Sequence, residues 1–358
     1  MDQIVLKRQA QEIHAEGRLL VEAKDGGVAL LDRGGVIWIA EAKDLMKQTH
    51  DDAAFAPFDA KSLAARVLTE LPHGFASLST THYVICYNTS REYAQWCGSL
   101  FETLYKAFEN FWKRQGFKLS APEFPLVAVV FADRQSYSAY SAADLGTAAA
   151  SIIGYYSLRS NRMTMYDLTG TATAKSRKRP GSIAAEINQI LAHPEGERTT
   201  ATIVHEATHQ IAFNCGLHTR FSDVPRWFSE GIAMYFETLD LRHSRSAGGI
   251  GNINRVRLGD FHTYLKRRPA DSLRTLLTDD RRFSDTQKTV DAYAEAWTLT
   301  YFLIRQRPKQ YVDYLKILCE KRVMLWDPPE KRLQDFTQAF GDLRKLDTEF
   351  VRYVQRTL

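Results

Sequence analysis

Residues 199–215 read TTATIVHEATHQIAFNC. His205 and His209 stand four apart, which on a helix puts two imidazoles on one face, one turn from each other. Two nitrogens so placed can grip one zinc ion at about 2.0–2.1 Å each. Glu206 adjoins the first histidine and can face the same cleft without being a ligand, so that it acts as general base on water held by the metal. The flanks are apolar: Ala201, Ile203 and Val204 before, Ile211, Ala212 and Phe213 after. A helix of this kind is expected to be internal, where histidine and glutamate need partners that a metal supplies. A catalytic zinc takes three protein ligands and keeps one position open. The segment VPRWFSEGIAMYFE (224–237) offers Glu230 as the third ligand. Ser222 and Asp223 are capping candidates for a helix whose first turn begins near Pro225. Gly231 is expected to let this helix approach the first closely. Glu237 falls on the same face as Glu230 and is a candidate to support a ligand, with Asp223 and Asn214 as further candidates.

These groups need a frame. Apolar runs at 18–23, 28–32 and 36–40, separated by Asp25-Gly26-Gly27 and Arg33-Gly34-Gly35, predict a three-stranded meander. A short amphipathic helix is expected over 59–71, ahead of Pro72. HYVICYN (82–88) reads as a strand, followed by Thr89-Ser90 as helix caps. Segment 91–115 then runs at helical spacing with an aromatic stripe from Tyr93 to Trp112, which reads as core. LVAVVF (126–131) is a continuous apolar strand, a helix follows from Ser136, and 154–168 reads as a hairpin turning near Ser160-Asn161. Residues 171–198 read as a polar, solvated loop, whose basic run at 175–179 would favour acidic substrates. From Thr200 on the pattern is helical: about 200–215, 225–240, 290–306, 308–322, 330–340 and 343–356. Gly248-Gly249-Ile250-Gly251 follows a helix and not a strand, so it reads as a surface loop and not a nucleotide site. The predicted organisation is α+β. A small β-meander module with a linker helix (1–75) precedes a domain at 76–358. That domain has a mixed sheet (82–168), two metal-bearing helices (200–240) and a helical C-terminal part (255–358).

HEATHQ followed by PRWFSEGIAMYFE resembles the gluzincin metallopeptidases, whose pattern is HExxH, a spacer, then WxxEGxAxxxE. It is most similar to the peptidase-MA-like group, in which a Pro-x-Trp precedes the ligand glutamate and many bacterial members are domains of unknown function. The resemblance is carried by residues 199–240 and is absent from 1–75. It implies a thermolysin-like catalytic domain with one zinc per chain, His205, His209 and Glu230 as ligands, and Glu206 as general base. In zinc aminopeptidases of the same clan, a downstream tyrosine in a Y-x-x-G-A helix stabilises the oxyanion. Tyr293-Ala294-Glu295-Ala296-Trp297 carries that role over to Tyr293, with Ala296 where the motif has glycine. The clan also implies an edge strand that pairs with an extended substrate, for which RMTMYDL (162–168) is the candidate, with Met163, Met165 and Tyr166. The GAMEN-like segment with which those aminopeptidases recognise a free α-amine is missing, so aminopeptidase specificity is not implied.

Composition agrees with an enzyme-sized globule. The 358 residues are 44% hydrophobic and 25% charged, with 47 basic against 42 acidic side chains. The surplus is small and the basic residues are spread, unlike the concentrated face or tail of a nucleic-acid binder. No uncharged run reaches the roughly 18 residues of a membrane span. Cys86, Cys97, Cys215 and Cys319 form no C-x-x-C pair and read as buried thiols. The expected function is zinc-dependent hydrolysis of peptide bonds in a peptide or protein substrate. The alternatives are a weakly catalytic or non-catalytic module that binds a polypeptide or cell-envelope component, and a zinc hydrolase of non-peptide amides. An extracytoplasmic site, with a leader removed, is expected from the hazard of a free peptidase in cytosol.

Overall fold

Turns at Gly26 and Gly35, both with φ near +87°, organise the first sheet, since such backbone is strained for any residue with a Cβ. In the computed structural model, which describes residues 1–8, 11–169, 194–238 and 250–358, they link β2 (Gln11–Glu22), β3 (Val28–Asp32) and β4 (Ile37–Ala40). This is the expected meander, but two more strands extend it. β1 (Asp2–Arg8) and β5 (Leu45–His50) complete an antiparallel half-barrel in the order β4-β3-β2-β1-β5. Both added strands are rich in charged and polar residues, and β5 is exposed at nearly every position, so hydrophobic patterning did not mark them. Ile4, Leu6, Ala15, Val28, Leu30 and Ala40 form this sheet's core.

The second sheet is mixed. Its strands are β6 (Ala76–Ser79), β7 (Tyr83–Tyr87), β8 (Leu126–Phe131), β9 (Gly154–Tyr156) and β10 (Arg162–Tyr166), in the order β6-β7-β8-β10-β9. β7, β8 and β10 run parallel, and the two outer pairs are antiparallel. β7 and β8 are buried at every position, as central parallel strands must be. The crossover between them contains helix α2 (Arg91–Arg114). Helices α1 (Ala60–Glu70) and α3 (Arg134–Leu145) start where Asp59 and Asp133 accept the amide hydrogens of Ser62 and Ser136.

One expectation about this sheet is corrected. Met163 and Met165 do not lie on an edge, whereas Tyr166, past the end of β9, is paired with β8 alone. Over 163–165, β10 pairs with β8 on one side and β9 on the other, so its backbone groups there are already spent. The cause is the hairpin return through Asn161, at φ 60°, which folds β9 over the flank that β10 would have exposed. Among the described residues the free edges of this sheet are β6 and β9.

Helices follow: α4 (Pro194–Asn214), α5 (Arg226–Phe236), α6 (Arg255–Leu265), α7 (Ser272–Thr278), α8 (Thr289–Gln306), α9 (Pro308–Cys319), α10 (Pro329–Phe340) and α11 (Leu343–Thr357). The fold is α+β, with an N-terminal antiparallel half-barrel, a mixed sheet and a largely helical C-terminal part. α4 starts at Pro194, a turn and more before the expected start near Thr200. α6 and α7 were not among the helices expected. The basic run 175–179 and Gly248-Gly249 lie outside the described residues. No helix among those described is long and apolar enough to cross a membrane. Cys86, Cys97 and Cys215 are buried free thiols, and Cys319 is half-buried and also unpaired.

The chain divides into two compact units, Met1–Glu102 with Ala121–Ile203 and Thr103–Ser120 with Val204–Leu358. The second holds the histidines and Glu230. In it, α5 is wedged by aromatic residues: Trp227 stacks on Tyr314, Phe228 on Tyr311, and Phe236 packs on Phe108 and Phe111. α8 is pinned by a fully buried carboxylate, Glu295, that binds Arg268 at 2.7 Å and Arg282 at 2.8 Å and accepts from Ser272.

Gly231 does permit a close approach, but with a different partner from the one expected. A Cβ there would fall 2.1 Å from Thr300 Oγ1 and 3.0 Å from the Ala296 carbonyl, so the close neighbour is α8, not α4. Gly231→Ala should therefore destabilise the protein by about 1–3 kcal/mol through overpacking. A denaturant midpoint equal to wild type would show that α8 gives way freely.

Candidate metal centre

The site is built on α4 and α5. The His205 and His209 rings lie one turn apart on α4, edge to face, with centroids 4.7 Å apart. α5 is set at its start by a carboxylate from elsewhere in the chain and its ion pairs, and not by the side chain of its own N-cap, Pro225. The Arg226 amide donates to Asp280 at 3.0 Å, and Arg332 binds both Asp280, at 2.8 Å, and Asp223, at 2.5 Å. Pro225 occupies the position before the helix and Glu230 the second turn.

Three donor atoms converge. His205 Nε2 is 3.0 Å from Glu230 Oε2 and 3.1 Å from His209 Nε2, and His209 Nε2 is 3.6 Å from Glu230 Oε2. A tetrahedral ion with bonds of 2.0–2.1 Å has ligand atoms about 3.3 Å apart, so this triangle has the size to hold one. The other ring nitrogens are occupied. His205 Nδ1 is 2.7 Å from Glu237 Oε1 and His209 Nδ1 is 3.2 Å from Ser229 Oγ. With Nδ1–H donated outward on each ring, both Nε2 lone pairs face the Glu230 carboxylate. Such a set of acceptors needs a cation among them, either a metal or protons. The three side chains are each 12% exposed, so the group is nearly buried yet still reached by solvent.

The electrostatics follow the same logic. Burial works against a charged His205, but hydrogen bonds to Glu230 and Glu237 outweigh it and raise its pKa well above the ordinary imidazole value. Burial likewise opposes ionisation of Glu230, and the two histidines overcome it, holding its carboxyl well below the usual range. A third imidazole, His218, is buried and pushed down to about 3, first by burial and then by His209, so it stays neutral.

The other expected residues are distributed as follows. Glu237 bonds His205 and is itself held by Asn254, whose amide donates to Oε2 at 3.0 Å. Glu206 is half-buried on α4 beside His205. Tyr293 stands on the second turn of α8 against Phe283, and its hydroxyl feels the charges of Glu230 and Glu206. Burial, followed by Glu230, pushes that hydroxyl up to about 12, which keeps it a hydrogen-bond donor at neutral pH. Asp223 does not touch the imidazoles, because Arg332 takes both its oxygens. Asn214 donates to the Gln210 carbonyl at the end of α4.

Three contributors were not anticipated: Ser229 on His209, Asn254 on Glu237, and Arg226, whose Nε lies 3.4 Å from Glu230 Oε1. Arg226 engages Oε1 and leaves Oε2 to the histidines. Ser229 and Arg226 sit in the segment that supplied Glu230, one residue and one turn before it. The i, i+4 spacing of Arg226 and Glu230 was the available signal. Asn254 lies in a loop of no periodicity.

A family described as "Protein of unknown function (DUF1570)" is matched by residues 199–324, a span that takes in the two histidines, Glu230, Glu237, Asn254 and Tyr293. No curated protein matches the chain.

Proposed function

We propose that the chain is a zinc-dependent peptidase of gluzincin type, similar to the peptidase-MA-like group, with one zinc held by His205, His209 and Glu230. The observation that carries this reading is the convergence of two Nε2 atoms and one carboxylate oxygen, with both Nδ1 atoms tied back. A set of two imidazoles and one carboxylate suits zinc and leaves a fourth position for water or substrate. When bound, the ion supplies Lewis acidity, acidifying water and polarising a carbonyl.

The chain's own residues do the rest. Glu206 takes the proton from the attacking water and delivers it to the leaving amine. Tyr293 donates its hydroxyl hydrogen to the oxygen that gains charge on the carbonyl. Glu237 and Ser229 fix the imidazole tautomers, and Arg226 holds the free oxygen of Glu230. The substrate is a peptide or protein. An extracytoplasmic location suits such an activity, because an unshielded peptidase would endanger cytosolic proteins.

Cleavage of a mixed peptide library, read by mass spectrometry, tests this. Cleavage should disappear with a chelator and return with zinc. Cleavage that persists in chelator would count against the reading. Tyr293→Phe should keep its zinc and lose about 10²–10³-fold in kcat, the cost of one oxyanion donor. A variant with wild-type kcat would leave Tyr293 a packing residue.

A further inference from the structure

Beside the metal ligands runs a ladder of two rings with a guanidinium group at each end. Arg226 sits 5.6 Å over the Phe283 ring, Phe283 meets Tyr293 edge-on at 5.2 Å, and Arg257 sits 5.3 Å over the Tyr293 ring. Arg226 is also beside the Tyr293 hydroxyl and bonds Glu230. Two cations thus flank Tyr293, whose hydroxyl senses Glu230 and Glu206.

Their partners set them apart. Three interior arginines of this unit are paired with carboxylates: Arg268 and Arg282 with Glu295, Arg332 with Asp223 and Asp280. Arg257 has no carboxylate partner among the described residues, although it is half-buried. Arg226 has only Glu230, whose other oxygen faces the histidines, and its side chain is 41% exposed. The three carboxylates at the site, Glu206, Glu230 and Glu237, are outweighed by a divalent ion together with these two arginines. The filled site therefore carries a positive surplus that its own residues leave unanswered, and planar guanidinium forks suit a carboxylate.

Resting on the peptidase reading above, we propose that the site selects substrates bearing a carboxylate next to the scissile bond, received by Arg257 and Arg226. The carboxylate could belong to the chain's C-terminus or to an acidic side chain; the recognition chemistry is shared.

The test uses the full-length, zinc-loaded protein and three short leucine-based peptidyl hydroxamates. One ends in a free carboxylate, one in a carboxamide, and one in a carboxamide with an aspartate side chain at the adjoining position. Hydroxamate binding depends on the metal, and the remainder of each probe reports on the arginines. At least one acidic probe should bind about tenfold or more tighter than the neutral probe, and which one it is identifies the source of the carboxylate. In Arg257→Met the ratio of neutral to acidic Kd should fall toward one, with zinc content checked in parallel. Arg226→Lys, which keeps the charge but loses the fork, should reduce the ratio in the same direction. Equal affinities for all three probes would overturn the carboxylate inference and leave the metal site standing. Failure of every probe to bind protein that contains zinc would remove the peptidase reading, and this inference with it.

Discussion

Glu206→Gln should leave the metal in place and lower peptide hydrolysis by about 10²–10⁴-fold, the range over which a positioned general base contributes. Glutamine has nearly the same shape but cannot accept a proton at neutral pH. Glu206 is half-buried on α4 and is not one of the three converging donors, so folding and metal content should be unchanged. Zinc content and kcat measured on one preparation make the comparison. A variant with full zinc and wild-type turnover would sink the mechanism, because no other described residue has been given the role of accepting the water's proton.

Glu230→Gln should have its main effect a step earlier, on metal retention. Its Oε2 lies 3.0 Å from His205 Nε2, and its negative charge is what lets two neutral imidazoles and a dication share one small space. Replacing a carboxylate by an amide removes that charge. The loss of affinity should exceed the roughly 10–100-fold that removal of a supporting partner such as Glu237 costs. Competition with a fluorescent chelator of known affinity would measure it. Unchanged zinc affinity in Glu230→Gln would mean that a different group completes the site, and the convergence on α5 would lose its meaning. Running Glu237→Gln alongside separates the two roles, since that variant should show only the smaller loss.

The metal group was legible because its chemistry is written in local spacing. His205 and His209 are one helical turn apart, and Glu230 lies on a helix whose sequence, PRWFSEGIAMYFE, has an apolar face and a start signal of its own. The central strands β7 and β8 were legible for a related reason: continuous apolar runs fit strands buried on both faces. Much of what sequence alone did not reveal was decided by partners distant in the chain. β1 and β5 are too polar to read as strands; β1 is held between β2 and β5, and β5 is held by β1 alone. The hairpin at Ser160-Asn161 was itself legible, and it conflicts with reading β10 as an edge, because it lays β9 against Met163 and Met165. Gly231 signalled a close approach, but not that Thr300 on α8 would be the neighbour. Asp223 looked like a helper of the site because it is near Glu230 in sequence. It is instead committed to Arg332, more than a hundred residues on, and so steadies the start of α5 and not the imidazoles.

The most direct test of the central claim is the zinc content of the chain. Elemental mass spectrometry should be run on protein purified without chelator and without a histidine tag, beside His205→Ala prepared in the same way. The expected result is about one zinc per wild-type chain and little in the variant, as a three-ligand site with one nitrogen removed requires. Wild-type protein that holds no metal after incubation with zinc, or a variant that holds as much as wild type, would contradict it.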